Sequence, residues 1–343
     1  MSRIINFGIV GCGVISGTHA DALKANPDVA SLVACCDILP DRAQALATKF
    51  GCKPYNSLEA MLEHEGLDCV CVCTPSGIHH QGVIGAAKKG INAIVEKPMD
   101  ITREKLDAIA EVPAKYGVKV GCIFQRRAMD VINQVRDAVQ GGELGTLFLA
   151  EANMKWFRSQ EYYDSGEWRG TYALDGGGAL MNQGIHGVDL IYYLMGPIAS
   201  VKAYQATLTH KIEVEDNLTA AIKFKNGAIG NLTVSTSCVP GYSMVHNVHG
   251  SKGSISISDD QIVEWYIEGD EANRITGGKG DMQGAIDPRL LSSGGHTRLI
   301  RDMAEAIRDD RDPMITPDLG RTAVDLILAI YESARTGKEV LMP

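Results

Sequence analysis

One lysine stands where substrate chemistry is expected in this sequence. Glu96-Lys97-Pro98 follows the apolar run Ala93–Val95, which has the composition of a buried strand. Ligands of parallel sheets bind outside the carboxyl ends of the strands, so Lys97 is predicted to point into that crevice. Its ammonium group can hydrogen-bond a hydroxyl and stabilise a developing alkoxide. The alternative is a surface lysine paired with Glu96, which would leave the proline after it unexplained.

A glycine-rich turn offers a site for a phosphate group. The turn Gly11–Ser16 (GCGVIS) lies between the first apolar run and a helical segment. Gly11 permits a tight turn, and Gly13 lets the backbone approach a pyrophosphate at the helix N-terminus. The third small position is Ser16, which still allows close packing of the helix. The alternative is a plain strand–turn–helix without a cofactor, which has the same composition.

Asp37 strengthens the case for a dinucleotide. It ends the second apolar run, where a carboxylate can bond both hydroxyl groups of a ribose. A 2′-phosphate at that point would face the same negative charge. The sequence therefore predicts NAD in preference to NADP.

Composition bounds the kind of protein. A chain of 343 residues is too long for one core, because single cores stop growing at about 250–300 residues. The formal net charge of -9 argues against a broad surface for nucleic acid or anionic membrane. No apolar run approaches the roughly 18 residues that span a bilayer, and the N-terminus lacks the features of a signal peptide. We therefore expect two domains and a cytoplasmic location.

Of the cysteines in this chain, five are predicted to be buried, reduced thiols. There are nine, an odd number, which fits a reducing compartment. Cys69, Cys71 and Cys73 alternate along one apolar run, and Cys35 and Cys36 lie near a strand end. The spacing typical of a zinc site is missing, so no metal is predicted.

Short apolar runs alternate with helical segments in the first third of the chain. The predicted strands are Ile4–Val10, Ser31–Cys36, Cys69–Cys73, Ala93–Val95 and Lys119–Ile123. The predicted helices are about Ile15–Ala25, Asp41–Phe50, His79–Lys89 and Thr102–Tyr116, the last with a kink at Pro113. Strands that are apolar throughout and alternate with helices indicate a parallel sheet covered on both faces. Residues 1–124 are therefore predicted to form a doubly wound α/β domain.

The pattern changes after residue 124. Leu218–Phe224 alternates with period two, Asn226-Gly227 supplies a hairpin turn in which both residues tolerate positive φ, and Ala228–Ser235 returns as the partner. Further strands are predicted at Leu147–Met154, Val201–Leu208, Val245–His249 and Ser254–Ser258, and helices at Val131–Val139, His296–Arg308 and Pro317–Thr336. Residues 125–343 are therefore predicted to form one α+β domain on an antiparallel sheet.

Several motifs together resemble the Gfo/Idh/MocA oxidoreductases, the glucose–fructose oxidoreductase and inositol dehydrogenase family, over essentially the whole chain. They are Gly11-x-Gly13-x-Ile15-x-x-x-His19, Thr74-Pro75-Ser76-x-x-His79, Glu96-Lys97-Pro98, the block from Gly176 through His186 to Asp189, Glu213-x-Glu215-Asp216, and the final Tyr331-Glu332-Ser333-Ala334-Arg335-x-Gly337. The resemblance implies a Rossmann domain followed by a domain on an open, mostly antiparallel sheet.

The resemblance also implies residue roles. Lys97 and His186 match the catalytic pair, in which a neutral imidazole takes the hydroxyl proton while hydride leaves for the nicotinamide. Without the motif, a helical histidine is more often a core residue. Cofactor contacts are expected from Gly11, Gly13, Val14, Ile15, Asp37, Thr74, Pro75, His79, Glu96, Lys97, Gln125, Trp168 and Arg169. Substrate contacts are expected from Lys97, Lys155, Arg158, Tyr162, Asn182 and His186.

Two details bear on the substrate. Many polyol dehydrogenases of the family carry aspartate where Asn182 stands, so a strict Lys–Asp–His triad is in doubt and Asn182 is predicted to bond the substrate. Asn182 and His186 would share one helical face. The Asn-Gln-x-x-His pattern and Trp168-Arg169-Gly170 look like the UDP-N-acetylglucosaminuronate 3-dehydrogenase subgroup. Trp168 and Arg169 would close over the nicotinamide, or else form a subunit contact.

The resulting hypothesis is oxidation of a ring hydroxyl, at C3, of a sugar, glycoside or sugar nucleotide, or reduction of the ketone. One alternative is a redox-neutral, NAD-dependent glycosidase. Another is a non-catalytic NAD-binding regulator, which the retention of Lys97 and His186 speaks against. A homodimer or homotetramer is expected, built on the sheet face that carries Thr219, Ala221 and Lys223. The resemblance implies the same surface.

Overall fold

The computed structural model describes residues 3–271, 273–275 and 294–342, and they divide into two compact units. The first contains the described residues of Met1–Gln125 and Ser292–Arg321, and the second those of Arg126–Leu291 and Thr322–Pro343. This differs from the predicted continuous domain 125–343. The helix Gly294–Arg308 buries its apolar face against the helix Ser16–Lys24, so this part of the chain returns to the first unit.

The first unit is built on six parallel strands. They are β1 (Ile5–Val10), β2 (Ala30–Cys36), β3 (Lys53–Tyr55), β4 (Cys69–Val72), β5 (Asn92–Val95) and β6 (Val120–Cys122). Their order is β3-β2-β1-β4-β5-β6, so the direction of winding reverses between β1 and β4. Ligands of doubly wound folds bind at that switch point, outside the carboxyl ends of the strands. The predicted Rossmann architecture is confirmed, although the short edge strand β3, which has no apolar run, was not predicted.

Helices connect these strands. They are α1 (Ser16–Lys24), α2 (Pro40–Phe50), α3 (Leu58–Leu62), α4 (His79–Ala87), α5 (Arg103–Ala110) and α6 (Val112–Tyr116). The helix predicted over Thr102–Tyr116 is therefore two helices, separated at Glu111. Pro113 lies in the first turn of α6, where its missing N–H costs nothing, so it starts a helix instead of kinking one.

The second unit is built on nine strands. They are β7 (Leu147–Lys155), β8 (Ile198–Ala206), β9 (Asn217–Phe224), β10 (Ile229–Ser235), β11 (Val245–Gly250), β12 (Gly253–Ser258), β13 (Gln261–Ile267), β14 (Arg274–Ile275) and β15 (Val340–Leu341). The sheet order is β14-β13-β12-β11-β7-β10-β9-β8-β15. Only β7 and β10 among these described strands pair in parallel, so the sheet is mostly antiparallel.

The hairpin between β9 and β10 turns at Asn226-Gly227, as predicted. The Gly227 N–H donates to the Phe224 carbonyl at 3.0 Å, and the Phe224 N–H donates to the Ala228 carbonyl at 2.9 Å. Of these two residues, which both tolerate positive φ, Gly227 adopts it, at 92°. The loop is therefore three residues long, with glycine in the left-handed position, a common hairpin connection.

Helices cover one face of this sheet. The second unit contains α7 (Asp130–Gln140), α8 (Gln160–Asp164) and α9 (Ile185–Met195); α10 (Gly294–Arg308) belongs to the first unit, and α11 (Pro317–Thr336) runs across the boundary between them. Ala179–Gly184 forms a π-helical segment directly before α9. On β9 the predicted inner face, from Leu218 to Phe224, is buried, while Thr219, Ala221 and Lys223 face outward.

Among the described residues, no helix is long and apolar enough to cross a membrane.

The thiols behave as predicted. All nine cysteines are free, and Cys35, Cys36, Cys69, Cys71 and Cys73 are buried. Burial raises the pKa of the Cys36 thiol to about 12. It also raises the pKa of Cys71. These side chains are small hydrophobes of the parallel sheet.

Candidate active site

The turn after β1 has the backbone that a dinucleotide requires. Gly11 has φ of 88°, and a Cβ there would lie 2.9 Å from the carbonyl carbon and oxygen of Cys73 at the end of β4. No described heavy atom outside its neighbours comes within 4 Å of a Cβ built on Gly13. The turn is thus closed on the side of the sheet and open beside Gly13. A phosphate can approach the backbone at that open side.

Asp37 is fixed beside this turn. Its Oδ2 accepts a hydrogen bond from the Cys12 N–H at 2.8 Å, and its Oδ1 accepts one from the Leu39 N–H at 2.8 Å. The carboxylate is half-buried and cannot swing away without losing both donors. It stands at the end of β2, where the ribose hydroxyls of a dinucleotide lie in this fold.

Two further predicted cofactor contacts carry buried polar atoms that other described residues do not bond. They are Oγ1 of Thr74, after β4, and Oε1 of Gln125, after β6. Buried polar atoms are normally paired, so each orphan marks a place where a ligand group fits. Nearby Val14 is 66% exposed, and Ile15 and Pro75 are half-buried. These residues fit a bound NAD.

Glu96 lies at the end of β5 and is almost fully buried. Its Oε1 faces Nε2 of His19 at 2.8 Å and Nε2 of His296 at 3.1 Å, while its Oε2 accepts the Lys97 N–H at 3.0 Å. Burial opposes ionisation of Glu96, yet the hydrogen bonds from both imidazoles hold its pKa well below the usual value. Burial lowers the pKa of His19, so it is a neutral donor. Ionised Glu96 thus anchors the backbone of Lys97.

His79 holds the neighbouring loop. Its Nδ1 lies 2.7 Å from the Pro98 carbonyl oxygen and its Nε2 lies 2.8 Å from the Thr74 carbonyl oxygen. Burial lowers its pKa. Direct cofactor contacts from Glu96 and His79 stay a prediction. Both oxygens of Glu96 face protein groups, and a neutral His79 donates from one ring nitrogen at a time to a carbonyl oxygen, so both residues support the loops that carry Lys97 and Thr74.

His186 lies in the second unit, in the first turn of α9, and is 5% exposed. Asn182 lies in the π-helical segment before it. The predicted spacing of one α-helical turn is therefore altered, because a π turn holds more residues. Single π turns inside helices are frequent at functional sites. Asp189, the last residue of the motif, forms a buried two-oxygen ion pair with Arg127 and serves the structure.

A polar cluster forms around Tyr162. Its hydroxyl accepts from Nη1 of Arg169 at 2.6 Å and from Nε2 of Gln183 at 3.0 Å. Arg158 is 2% exposed, and its Nη2 donates to Oε1 of Gln183 at 3.3 Å. The guanidinium carbon of Arg169 lies 4.3 Å from the centre of the Tyr162 ring and 4.5 Å from that of Trp168. Four predicted site residues are thus brought together, with Gln183 joining them.

Asp175 is a buried carboxylate that the sequence analysis did not single out. Its Oδ1 accepts from Nδ2 of Asn182 at 2.7 Å, and its Oδ2 accepts from the Gly170 N–H at 2.9 Å. It therefore joins the loop of Trp168 and Arg169 to the segment that carries Asn182. A carboxylate placed directly before a glycine run was the available signal.

Two other features complete this unit. Lys155 is exposed at the end of β7, and in the described part of the chain its side chain makes no hydrogen bond or ion pair to the cluster. A cleft of about 410 Å³ opens beside Arg169 and Gly170, lined also by Tyr163, Lys211 and Glu213. Its mixed charge suits a polar ligand.

The chain is similar to known proteins in sequence and in fold. Residues 5–124 match the oxidoreductase family with the NAD-binding Rossmann fold, and residues 132–256 match the GFO/IDH/MocA C-terminal domain. The WlbA dehydrogenase from Bordetella pertussis, crystallised with NADH and UDP-GlcNAcA, is 33% identical over 99% of both chains, with a TM-score of 0.88. The corresponding complex from Chromobacterium violaceum is 32% identical over 100% of this chain and 97% of that one, with a TM-score of 0.89.

The chain is also similar to a sugar dehydrogenase over nearly its whole length. The D-glucoside 3-dehydrogenase of Escherichia coli (strain K12) is 26% identical over 99% of this chain and 98% of that protein. The fold and the cofactor turn define an NAD-dependent oxidoreductase. The chain belongs to the Gfo/Idh/MocA family of these enzymes.

Proposed function

We propose that the protein oxidises a secondary ring hydroxyl, at C3, of a sugar, glycoside or sugar nucleotide, and that the same residues serve the reverse ketone reduction. The observation that carries this is the cluster of Arg158, Tyr162 and Arg169 in the unit that holds His186. The Arg158 guanidinium and the Tyr162 phenol suit an oxygen-rich, anionic substrate, and Arg169 holds the Tyr162 hydroxyl in place. The likeness to dehydrogenases crystallised with UDP-GlcNAcA supports the same class.

The chemistry divides between two side chains. NAD, when bound, accepts the hydride from the ring carbon. Lys97 donates a hydrogen bond to the reacting hydroxyl and stabilises the oxygen as negative charge develops on it. His186, as a neutral imidazole, takes the hydroxyl proton, so that the C–H and O–H bonds both break and a ketone forms.

Other residues bind the two ligands. The backbone at Gly11 and Gly13 holds NAD, together with the side chains of Asp37, Thr74 and Gln125. Trp168 and Arg169 close over the nicotinamide. Asn182 orients the sugar, since Asp175 fixes its amide. Arg158 and Tyr162 bind the acidic or phosphorylated part of the substrate.

A substrate panel tests the proposal. Purified protein is mixed with NAD and, separately, UDP-GlcNAcA, a glucoside and myo-inositol, and NADH is followed by absorbance. Product analysis locates the new ketone. We expect the fastest NADH formation with UDP-GlcNAcA and a ketone at C3. Glycoside cleavage without net NADH would indicate a redox-neutral glycosidase, and tight NAD binding without turnover would indicate a regulator; either result contradicts the proposal.

The outer face of the large sheet is the proposed assembly surface. Tyr204 is 70% exposed, Ile229 is 59% exposed and Tyr266 is 54% exposed. Each lies on the face opposite the helices, as Thr219 does. Exposed apolar groups among small polar ones suit a self-complementary interface, which closed homo-oligomers use. We propose a homodimer or homotetramer, and a cytoplasmic location in keeping with the free thiols.

A further inference from the structure

The segment that carries Asn182 and His186 begins with an unusual cap. The first four N–H groups of a helix have no partner inside it. Here the N–H groups of Gly178 and Leu180 donate to Oε2 and Oε1 of Glu215 at 3.0 and 2.8 Å. The Ala179 N–H donates to the Glu215 carbonyl at 2.8 Å, and the Met181 N–H donates to the Tyr331 hydroxyl at 3.2 Å. Intrasegment bonding starts at the next residue, Asn182, whose N–H donates to the Gly178 carbonyl.

Two residues from distant parts of the chain therefore satisfy four consecutive donors. Glu215 is 2% exposed and precedes β9, and Tyr331 comes from α11. The Tyr331 hydroxyl donates to Oε1 of Glu215 at 2.9 Å, which links the two caps. A carboxylate at a helix N-terminus is also favoured by the helix dipole.

The glycine run is what lets these caps come close. A Cβ on Gly178 would lie 1.8 Å from the Glu215 carbonyl oxygen, and a Cβ on Gly177 would lie 2.1 Å from the Tyr331 hydroxyl. Side chains at either position would push the segment away from both caps. Glycine at these positions is therefore required by contact with Glu215 and Tyr331.

We infer that Glu215 and Tyr331 are positioning residues for the reaction: they fix the start of the segment that presents Asn182 and His186 to the substrate. A serine or threonine N-cap satisfies such donors from a residue adjacent to the helix itself. Caps from Glu215, just before β9, and from Tyr331 in α11 instead tie the segment to the start of a sheet strand and to the last helix. This inference rests on the proposed roles of Asn182 and His186.

Tyr331→Phe is the central test, because it removes one hydroxyl and little volume. The variant leaves the Met181 N–H without its acceptor, and it removes one hydrogen-bond donor to the Glu215 carboxylate. We expect kcat with NAD and UDP-GlcNAcA to fall about tenfold while KM changes less than about threefold, because small displacements of reacting groups cost rate. Glu215→Gln should act in the same direction, and the double variant should lose less than the product of the two, since both break one cap.

Ser333→Ala is the matched control. Ser333 lies two residues further along α11 and is fully buried, and its hydroxyl accepts from the Ala203 N–H at 3.1 Å and donates to the Lys338 carbonyl at 2.6 Å. The variant loses comparable hydrogen bonds that do not reach the segment. We expect a similar loss of melting temperature and an unchanged kcat. Equal loss of kcat in Ser333→Ala, or wild-type kcat in Tyr331→Phe, overturns the inference.

Amide hydrogen exchange separates this inference from the proposed function. In Tyr331→Phe, the amides of Gly178 to Met181 should exchange faster by about tenfold or more, whichever sugar is the substrate. Unchanged exchange there overturns the inference even if the substrate is confirmed. Faster exchange with no turnover of any panel sugar by the wild type supports the caps and contradicts the proposed function instead.

Discussion

At the scale of single residues, Lys97 carries the sharpest expectation. Lys97→Ala should lower kcat by about 10²–10³, because its ammonium acts on charge that develops in the transition state. Affinity for NADH, measured by fluorescence titration, should change by no more than a few-fold. Lys89→Ala is a control, since Lys89 is an exposed lysine of the same unit paired with Glu63. Undiminished kcat in Lys97→Ala would place the chemistry on another residue.

Asp37 should govern the choice of cofactor. Replacing it with serine removes the charge that repels a 2′-phosphate, and the next residue, Ile38, is 86% exposed and open to a cation. We expect Asp37→Ser with Ile38→Arg to raise kcat/KM for NADP relative to NAD. Ile38→Arg alone keeps the carboxylate and should keep the preference for NAD. A double variant with the wild-type preference would contradict the role of Asp37.

Asn182 and Asp175 form a hydrogen-bonded pair in which the amide and the carboxylate can be swapped by mutation. Asn182→Ala should raise KM for the sugar more than it lowers kcat, the pattern of lost substrate binding. Asn182→Asp should be worse, because it sets a second carboxylate against Asp175 where Nδ2 now lies 2.7 Å from it. Adding Asp175→Asn should restore much of the loss by moving the amide to the other side. If Asn182→Ala instead shifts the kcat–pH profile and leaves KM unchanged, then Asn182 orients the His186 imidazole and does not bind the sugar.

At the scale of elements, the start of the π-helical segment links stability to pH. Burial raises the pKa of Glu215 to about 7, while the donors from Leu180, Tyr331 and Gly178 oppose the rise. A carboxyl whose pKa is higher folded than unfolded binds its proton better in the folded state. Its contribution to stability is therefore largest below the ordinary pKa of 4.5 and falls as pH rises through about 7.

Urea unfolding across that range tests the linkage. The free energy of unfolding should decline from pH 5 to pH 8 in the wild type, and the decline should be smaller in Glu215→Gln, which has no titrating group there. Ser333→Ala should lower stability by a similar amount at every pH. The same slope in Glu215→Gln as in the wild type would assign the titration to other groups.

At the scale of the whole molecule, the open face of the sheet decides assembly. Ile229 pairs in register with Lys223 on β9 and Leu149 on β7, near the middle of the nine-stranded sheet. Ile229→Glu places a charge in the proposed interface and should dissociate the oligomer in light scattering at micromolar concentration. Leu319→Glu is a control, because Leu319 is 46% exposed on α11 and belongs to the first unit, which does not contain this sheet. A monomeric wild type would contradict the proposal.

The sequence by itself determined those features that depend on local patterns along the chain. Apolar strands alternating with helices require a covered parallel sheet, and the carboxyl ends of such strands meet at one edge. Gly11, Asp37 and Lys97 each follow one of those strands, so their common edge followed from local pattern and topology. The family motifs extended this to His186. Strands β3, β13, β14 and β15, which lie at or next to a sheet edge, were not predicted because they are short or half-exposed. The break at Glu111 was not predicted because proline is also compatible with a kink.

Tertiary structure decided the contacts that support these residues. His296 meets Glu96 across 200 positions, and Tyr331 meets Glu215 across 116. Such pairs leave no period in the sequence, since hydrogen-bond partners depend on where whole elements pack. The return of α10 to the first unit could not be predicted for the same reason. Its apolar face indicates that another element covers it, and only the fold shows that this element is α1. The glycine run could be recognised as a motif, while the reason for it, backbone contact with Glu215 and Tyr331, exists only in three dimensions.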